Sequence, residues 1–74
     1  MLALIQRDDC ALCDAAWEIL HAAGVRDFEP LYIDGDPQQE ARYGNRVPVL
    51  RDGARELDWP FDAGTVRAWL AISG

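Results

Sequence analysis

Lysine is missing from this sequence. Its seven basic residues are all arginines and stand against 13 acidic residues, for a formal net charge of −6. The arginines form no basic stripe or patch, so a phosphate backbone would be repelled rather than attracted. An anionic membrane surface is disfavoured for the same reason. We therefore expect neither nucleic acid nor a membrane as a partner.

Long hydrophobic runs are missing as well. No stretch approaches the ~20 apolar residues of a membrane span. The apolar start, residues 1–5, is too short for a signal peptide and is soon followed by Asp8 and Asp9. We therefore expect a cytoplasmic protein, and structural disulfides are rare in that compartment. The two cysteines, Cys10 and Cys13, then need another role.

The length and composition favour one folded unit. The chain has 74 residues, enough for a single domain, and half of them are hydrophobic, which favours a globule over a disordered segment. No internal repeat, low-complexity segment or linker divides it. We expect one domain over residues 1–74.

Periodicity and turn residues predict seven secondary-structure elements. Gly24 ends a helix with apolar residues at helical spacing, and Asp36 and Asp62 are typical N-cap residues. Asp52-Gly53 is a type I′ hairpin signal. The predicted elements are strand 2–6, helix 11–23, strand 28–33, helix 37–43, strand 47–50, strand 54–57 and helix 63–72. The order β-α-β-α-β-β-α predicts an α/β fold with a parallel strand pair and an antiparallel hairpin at its edge.

Cys10 and Cys13 form a C-x-x-C between the first strand and the first helix. The unpaired backbone N–H groups and the positive end of the helix dipole favour thiolate over thiol, and the thiolate is the nucleophile. A partner one turn along can reach disulfide geometry with little backbone movement. This spacing predicts that Cys10 attacks a disulfide and that Cys13 resolves the mixed disulfide.

Three carboxylates oppose that activation. Asp8, Asp9 and Asp14 all lie within four residues of a cysteine, and like charges disfavour a second anion. We therefore expect a modestly activated Cys10 and a fairly reducing dithiol.

Alternative roles for the cysteines remain open. Zinc needs four ligands, and besides the cysteines the chain offers only His21, two to three turns further along the same helix, so we expect no metal site within the chain. A metal cluster, such as an iron–sulfur cluster, shared by two chains through Cys10 is one alternative. A non-catalytic interaction domain is the other.

The order of these features resembles the glutaredoxin-like branch of the thioredoxin superfamily. The matching features are a strand followed by Cys10-Ala11-Leu12-Cys13, the segment Arg46-Val47-Pro48, and a hairpin leading into a last helix. The resemblance implies a minimal thioredoxin-like fold, a mixed four-stranded sheet with helices on both faces. We also expect a monomer without bound cofactor. The expected substrates are protein disulfides or glutathione mixed disulfides, which the protein would reduce, with glutathione as a candidate co-substrate.

The same resemblance implies binding roles near Cys10. It predicts that the Val47–Pro48 peptide is cis and that the Val47 backbone is free to pair with an extended substrate. Arg7 would steady the thiolate or bind a glutathione carboxylate; the alternative is an ion pair with its acidic neighbours Asp8 and Asp9.

Two further candidates lie near the last helix. The resemblance places Asp62 where an acidic residue meets the amino group of glutathione, although its capping role explains it equally. Trp59 either roofs the site as an apolar platform or packs against the last helix. Arg46 stands where the family usually has Thr, and Trp59-Pro60 stands in place of a Gly-Gly pair. These departures count against glutathione binding and leave the dithiol chemistry untouched.

Overall fold

The order of elements is β-α-β-α-β-β-α, as predicted, in a computed structural model that describes residues 2–72. Met1, Ser73 and Gly74, which belong to the predicted domain, lie outside the described residues. None of the helices within residues 2–72 is long and apolar enough to cross a membrane. The elements are β1 (Leu2–Gln6), α1 (Ala11–Ala22), β2 (Glu29–Tyr32), α2 (Pro37–Tyr43), β3 (Val49–Asp52), β4 (Arg55–Asp58) and α3 (Ala63–Ala71).

The four strands form one mixed sheet in the order β2-β1-β3-β4. Strand β1 is parallel to β2, to which α1 connects it, and antiparallel to β3. Strands β3 and β4 form an antiparallel hairpin at the edge. Strand β1 is therefore an inner strand, and its carboxyl end leads directly into the segment that carries the cysteines.

Alternation along the strands divides the core into two layers. Leu4 packs with α1 and α3 on one face of the sheet, whereas Ala3 and Ile5 pack with Tyr43 of α2 on the other. The first layer is built on the buried residues Leu4, Ala16, Leu20, Leu50, Phe61 and Val66. The second is built on Ala3, Ile5, Ile33, Tyr43 and Val49. Helices thus cover both faces.

The hairpin is shifted relative to the prediction. Strand β3 begins at Val49 rather than Val47, because Pro48 has no N–H to donate to a ladder. The two turn residues are Gly53 and Ala54, and of these only Gly53 has a positive φ, of 63°. A positive φ at the first turn position alone is the pattern of a type II′ turn. The predicted type I′ turn at Asp52-Gly53 was therefore wrong in its type, and its position was wrong by one residue.

A charged network on the α2 face joins the hairpin to α2. The Glu56 carboxylate accepts hydrogen bonds from the Tyr43 hydroxyl at 2.7 Å, from Arg46 at 2.7 Å and from Arg42 at 3.1 Å. Arg46 also donates through two nitrogens to Asp58, at 3.1 and 2.7 Å. The Arg46 and Tyr43 hydrogen bonds lower the pKa of Glu56 from 4.5 to about 2. The network holds the segment before Val47 against β4.

We predict that Glu56→Gln destabilises the fold by about 1–2 kcal/mol near neutral pH, because it removes the ion pairs and leaves a buried hydroxyl with a weaker acceptor. The lowered pKa of Glu56 means that its contribution is present above its ordinary pKa and is lost as the pH falls from about 4.5 towards 2. Urea unfolding across this range measures the difference between the two proteins.

The difference in free energy of unfolding between wild type and Glu56→Gln is expected to disappear as the pH is lowered. Asp27→Asn, an exposed carboxylate outside the network, is the control and should leave stability nearly unchanged. If this difference stayed constant down to about pH 2, the charge on Glu56 would contribute nothing to stability.

Candidate dithiol site

Cys10 is the N-cap residue of α1. Its backbone is extended, with φ −127° and ψ 111°, and its Sγ accepts the Cys13 N–H at 3.2 Å. A sulfur thus occupies the position that a Ser or Asp oxygen takes in most helices. This partly exposed residue accepts one of the unpaired N–H groups at the helix start and lies at the positive end of the helix dipole.

Cys13 lies one turn further and is only 1% exposed. Burial, with the neighbouring Cys10 sulfur as a second cause, raises the pKa of the Cys13 thiol to about 12, and a hydrogen bond from the backbone of Arg7 acts in the opposite direction. Cys13 is therefore a neutral thiol at physiological pH. The two sulfurs are unequal, one accessible and one shielded.

The loop between β1 and Cys10 is held by backbone-to-carboxylate hydrogen bonds. Asp34, in the turn after β2, accepts the Asp8 N–H at 2.8 Å, and Asp8 accepts the Asp9 N–H at 3.1 Å. Asp9 has a φ of +52°, a conformation that Asp tolerates better than most residues. No local pattern predicts this role of Asp34, because its partner lies 26 positions away in the sequence.

The sheet brings the proline segment to the same end as Cys10. The last ladder pairs join Val49 to its neighbours in β1 and β4, and beyond them at this end lie Gln6, Pro48 and Trp59. The Val47–Pro48 peptide is cis, as expected. The Val47 backbone is only partly free, however, since its N–H donates to the Tyr43 carbonyl at 3.1 Å.

Gln6 is a buried polar residue for which the sequence predicted no role. It is 3% exposed, and its Oε1 accepts the indole N–H of Trp17 at 3.1 Å. Its amide nitrogen has no partner among residues 2–72. The bond anchors Trp17 to the sheet, where the ring also packs edge-on against Phe28 with centroids 4.8 Å apart. A polar residue at the end of an apolar strand was the available signal.

Arg7, which precedes the cysteines, and Arg46, which precedes the cis-proline segment, are both engaged with carboxylates. Arg7 pairs with Glu40 of α2 at 3.3 Å rather than with its acidic neighbours in sequence. Arg46 pairs with Glu56 and Asp58, each at 2.7 Å. The substrate-binding role predicted for Arg7 remains a prediction.

Trp59 and Asp62 each have a structural role. Trp59 packs against the α1 and α3 layer and meets Phe61 edge-to-face at 5.0 Å, and the Trp59–Pro60 peptide is also cis. Asp62 caps α3 by accepting the Thr65 N–H at 2.7 Å, and hydrogen bonds from Thr65 lower the pKa of its carboxyl. Contacts of either residue with a substrate remain predictions.

A surface cavity of about 350 Å³ lies at the opposite end of the molecule. It is lined by Ala3, Glu29, Leu31, Arg42, Arg51 and Gly53. Ala3 belongs to the start of β1 and Gly53 to the hairpin tip, whereas the cysteines follow the end of β1. The cavity therefore plays no part in the thiol site. Within residues 2–72, no cluster of three His, Cys, Asp or Glu side chains could hold a metal ion.

A mixed four-stranded sheet covered on both faces, with C-x-x-C at the start of α1 and a cis proline at the same end of the sheet, defines a minimal thioredoxin-like fold. A family model described as Glutaredoxin-like domain (DUF836) matches residues 1–71, so the chain belongs to the glutaredoxin-like family. This confirms the resemblance seen in the sequence.

Two solved structures of one protein are close to this chain. Both are of the Northeast Structural Genomics target protein XcR50 from X. campestris, which is 55% identical. Its X-ray structure aligns over 100% of both chains with a TM-score of 0.95. Its solution structure covers 99% of this chain and 95% of that one, with a TM-score of 0.91. No curated protein matches the sequence.

We predict that iodoacetamide modifies Cys10 of the reduced, folded protein at least about tenfold faster than Cys13, because only the thiolate reacts and the Cys13 thiol is shielded and protonated. Because the pKa of the Cys13 thiol is about 12, the rate at which Cys13 is modified should keep rising with pH, without a plateau, up to about pH 10. Peptide mass spectrometry after timed quenching measures both rates.

The unfolded protein is the control, since in denaturant the two cysteines should react at similar rates. Equal rates in the folded protein would contradict the proposed difference between the two sulfurs.

Proposed function

We propose that this protein is a thiol–disulfide oxidoreductase that reduces protein disulfides or glutathione mixed disulfides, with Cys10 as nucleophile and Cys13 as resolving cysteine. The inequality of the two sulfurs carries this proposal. Cys10 is partly exposed and receives a backbone N–H at the helix start, while Cys13 lies buried one turn away. A nucleophile must be reached by its substrate, whereas a resolving thiol must be reached only by the nucleophile.

The proposed reaction is a pair of exchanges. The Cys10 thiolate attacks one sulfur of the substrate disulfide, so that a mixed disulfide forms and the other substrate sulfur leaves as a thiolate. Cys13 then attacks Cys10 Sγ, and its proton passes to the second substrate sulfur as that sulfur leaves. This step forms the Cys10–Cys13 disulfide and releases the second substrate sulfur as a thiol. Two electrons pass from the dithiol to the substrate, and an external dithiol or two thiol molecules return the protein to its reduced state.

The order of the two steps follows from the electrostatics of the pair. The Cys10 sulfur contributes to the raised pKa of Cys13 through its charge and through their hydrogen bond. That contribution is removed once Cys10 is bound in a mixed disulfide. Cys13 therefore becomes easier to deprotonate at the stage when it has to act, whereas beforehand burial and the Cys10 sulfur together keep it protonated.

The proline segment supplies a place for an extended substrate backbone. The N–H of Val47 is taken by the Tyr43 carbonyl, so the Val47 carbonyl oxygen is the group that we propose accepts a substrate N–H. Pro48, fully buried beside it, would orient the substrate next to Cys10. Trp59, at the same end of the sheet, would form the apolar side of the site.

We predict that the purified protein, equilibrated in graded glutathione buffers, forms a Cys10–Cys13 disulfide with a potential between about −180 and −280 mV, the range of known exchange proteins. Intact mass spectrometry after acid quenching measures the oxidised fraction. Because the exposed sulfur reacts first, Cys13→Ser should accumulate an adduct on Cys10, whereas Cys10→Ser should form neither disulfide nor adduct.

Other outcomes would reject the proposal. If both thiols stay reduced and unmodified across the whole range, the redox function is wrong and a non-catalytic interaction domain takes its place. A coloured, iron-containing dimer that is lost in Cys10→Ser would instead identify a shared metal cluster.

A further inference from the structure

Four exposed carboxylates lie close to Cys10 along the chain or are hydrogen-bonded to the loop that precedes it. Asp8, Asp9 and Asp14 lie within four residues of Cys10, and Asp34 joins them through its hydrogen bond to the Asp8 N–H. Oxygens of Asp8 and Asp34 accept N–H groups of this loop, which keeps both carboxylates beside the dithiol instead of leaving them free to move away. A substrate that approaches Cys10 therefore enters a region of negative potential.

The neighbouring arginines do not offset this charge. Arg7 is paired with Glu40, and Arg46 is shared between Glu56 and Asp58. The charge of each guanidinium is thus neutralised by a carboxylate other than the four near Cys10. The predicted use of Arg7 for a glutathione carboxylate would require breaking its pair with Glu40.

Other arginines lie at the far end of the molecule. Arg67 donates to the carbonyl of Ala22, the last residue of α1, which is roughly 18 Å along the helix from Cys10. Arg55 begins β4 at the hairpin tip and contacts Trp69 of α3. At that distance, screening by physiological salt removes most of their influence on Cys10.

The surface next to Cys10 also offers apolar contact and only half of a backbone pairing site. Leu12, between the two cysteines, is 50% exposed, which is unusual for a leucine of this compact fold. The Val47 N–H is already used within the protein, so a bound peptide backbone can donate to the Val47 carbonyl but cannot accept from that residue. These features fit a polypeptide that brings its own apolar side chain better than they fit a small tripeptide.

From these observations we infer that the disulfide taken by Cys10 belongs to a polypeptide with positively charged side chains beside its cysteine, in preference to glutathione disulfide. This inference rests on the proposed redox function. Glutathione carries two carboxylates and one ammonium group, so its disulfide is anionic and is repelled by the rim of carboxylates. A cationic polypeptide is attracted to the same rim, and Leu12 contacts its apolar residues.

The test uses the reduced, full-length protein in single turnovers. The substrates are three peptide dimers, each joined by one disulfide and identical except that the cysteine is flanked by arginine, glutamine or glutamate; glutathione disulfide is the fourth. Acid quenching and chromatography give the rate of disulfide reduction. Each rate is divided by that of dithiothreitol with the same substrate, because a neighbouring positive charge speeds any thiolate attack.

We predict that the normalised rates for the arginine and glutamate peptides differ by at least about tenfold at low salt, which is the lower end of electrostatic steering. Salt at about 0.5 M should remove most of this ratio, since the interacting charges are exposed. Glutathione disulfide should react no faster than the glutamate peptide.

Two matched variants assign the effect to the rim. In Asp8→Asn/Asp9→Asn the amide oxygen at position 8 can still accept the N–H of residue 9, and Asn tolerates the positive φ at position 9. Asp27→Asn/Glu29→Gln removes the same amount of charge from exposed positions near the start of β1. The first variant should lower the arginine-to-glutamate ratio at least about threefold, and the second should leave it unchanged.

The outcomes separate this inference from the function on which it rests. If wild type reduces none of the four disulfides, the redox function itself fails. If it reduces all of them with a normalised ratio close to one, or prefers glutathione disulfide, the redox function stands and the inferred charge preference is overturned. An equal loss of the ratio in both double variants would also overturn it, because net charge rather than the rim would then be responsible.

Discussion

Strand β1 is hydrogen-bonded on both edges and buried on both faces, and the rest of the molecule is arranged around this double burial. Four of its five residues, Ala3 to Gln6, are buried. Their alternation assigns α1 and α3 to one side and α2 to the other, since Leu4 faces one layer and its neighbours face the second. The strand ends at Gln6, so the chain must leave the sheet within a few residues of Cys10. The position of the dithiol is thus set by the point at which this central, buried strand ends.

Opposing local effects set the character of the accessible sulfur. Cys10 lies at the positive end of α1 and its sulfur accepts the Cys13 N–H, whereas the exposed carboxylates of Asp8, Asp9 and Asp14 lie within four residues of it. Cys13 is removed from water, and this burial is the largest cause of its raised pKa, with the Cys10 sulfur and the Asp14 carboxylate as further causes. One short segment therefore holds two thiols in different surroundings that still act on each other. A surface substitution at Asp14 is expected to act on Cys13 as well as on Cys10.

The features that were predictable from the sequence are those set by neighbouring residues. The helix caps Asp36 and Asp62 and the placement of the cysteines follow from local hydrogen bonding, and the structure has the caps and cysteines there. The strand register and the ion pairs were less predictable from the sequence. Arg46 finds its partners 10 and 12 residues away, and Arg7 finds Glu40 33 residues away, through a sheet whose pairing no local pattern specifies. The shifted hairpin has the same origin, since its register depends on β1 as well as on its own turn.

The burial of Cys13 also bears on how the protein withstands peroxide. An oxidant that reaches the surface meets the Cys10 sulfur, and its first product there is a sulfenic acid. A thiol one helical turn away can condense with that acid to a disulfide before further oxygen is added, whereas sulfinic and sulfonic acids form irreversibly. The shielded thiol is itself spared the same attack. In the proposed function, the same inequality of the two sulfurs would therefore also hold oxidation of Cys10 at its reversible stage.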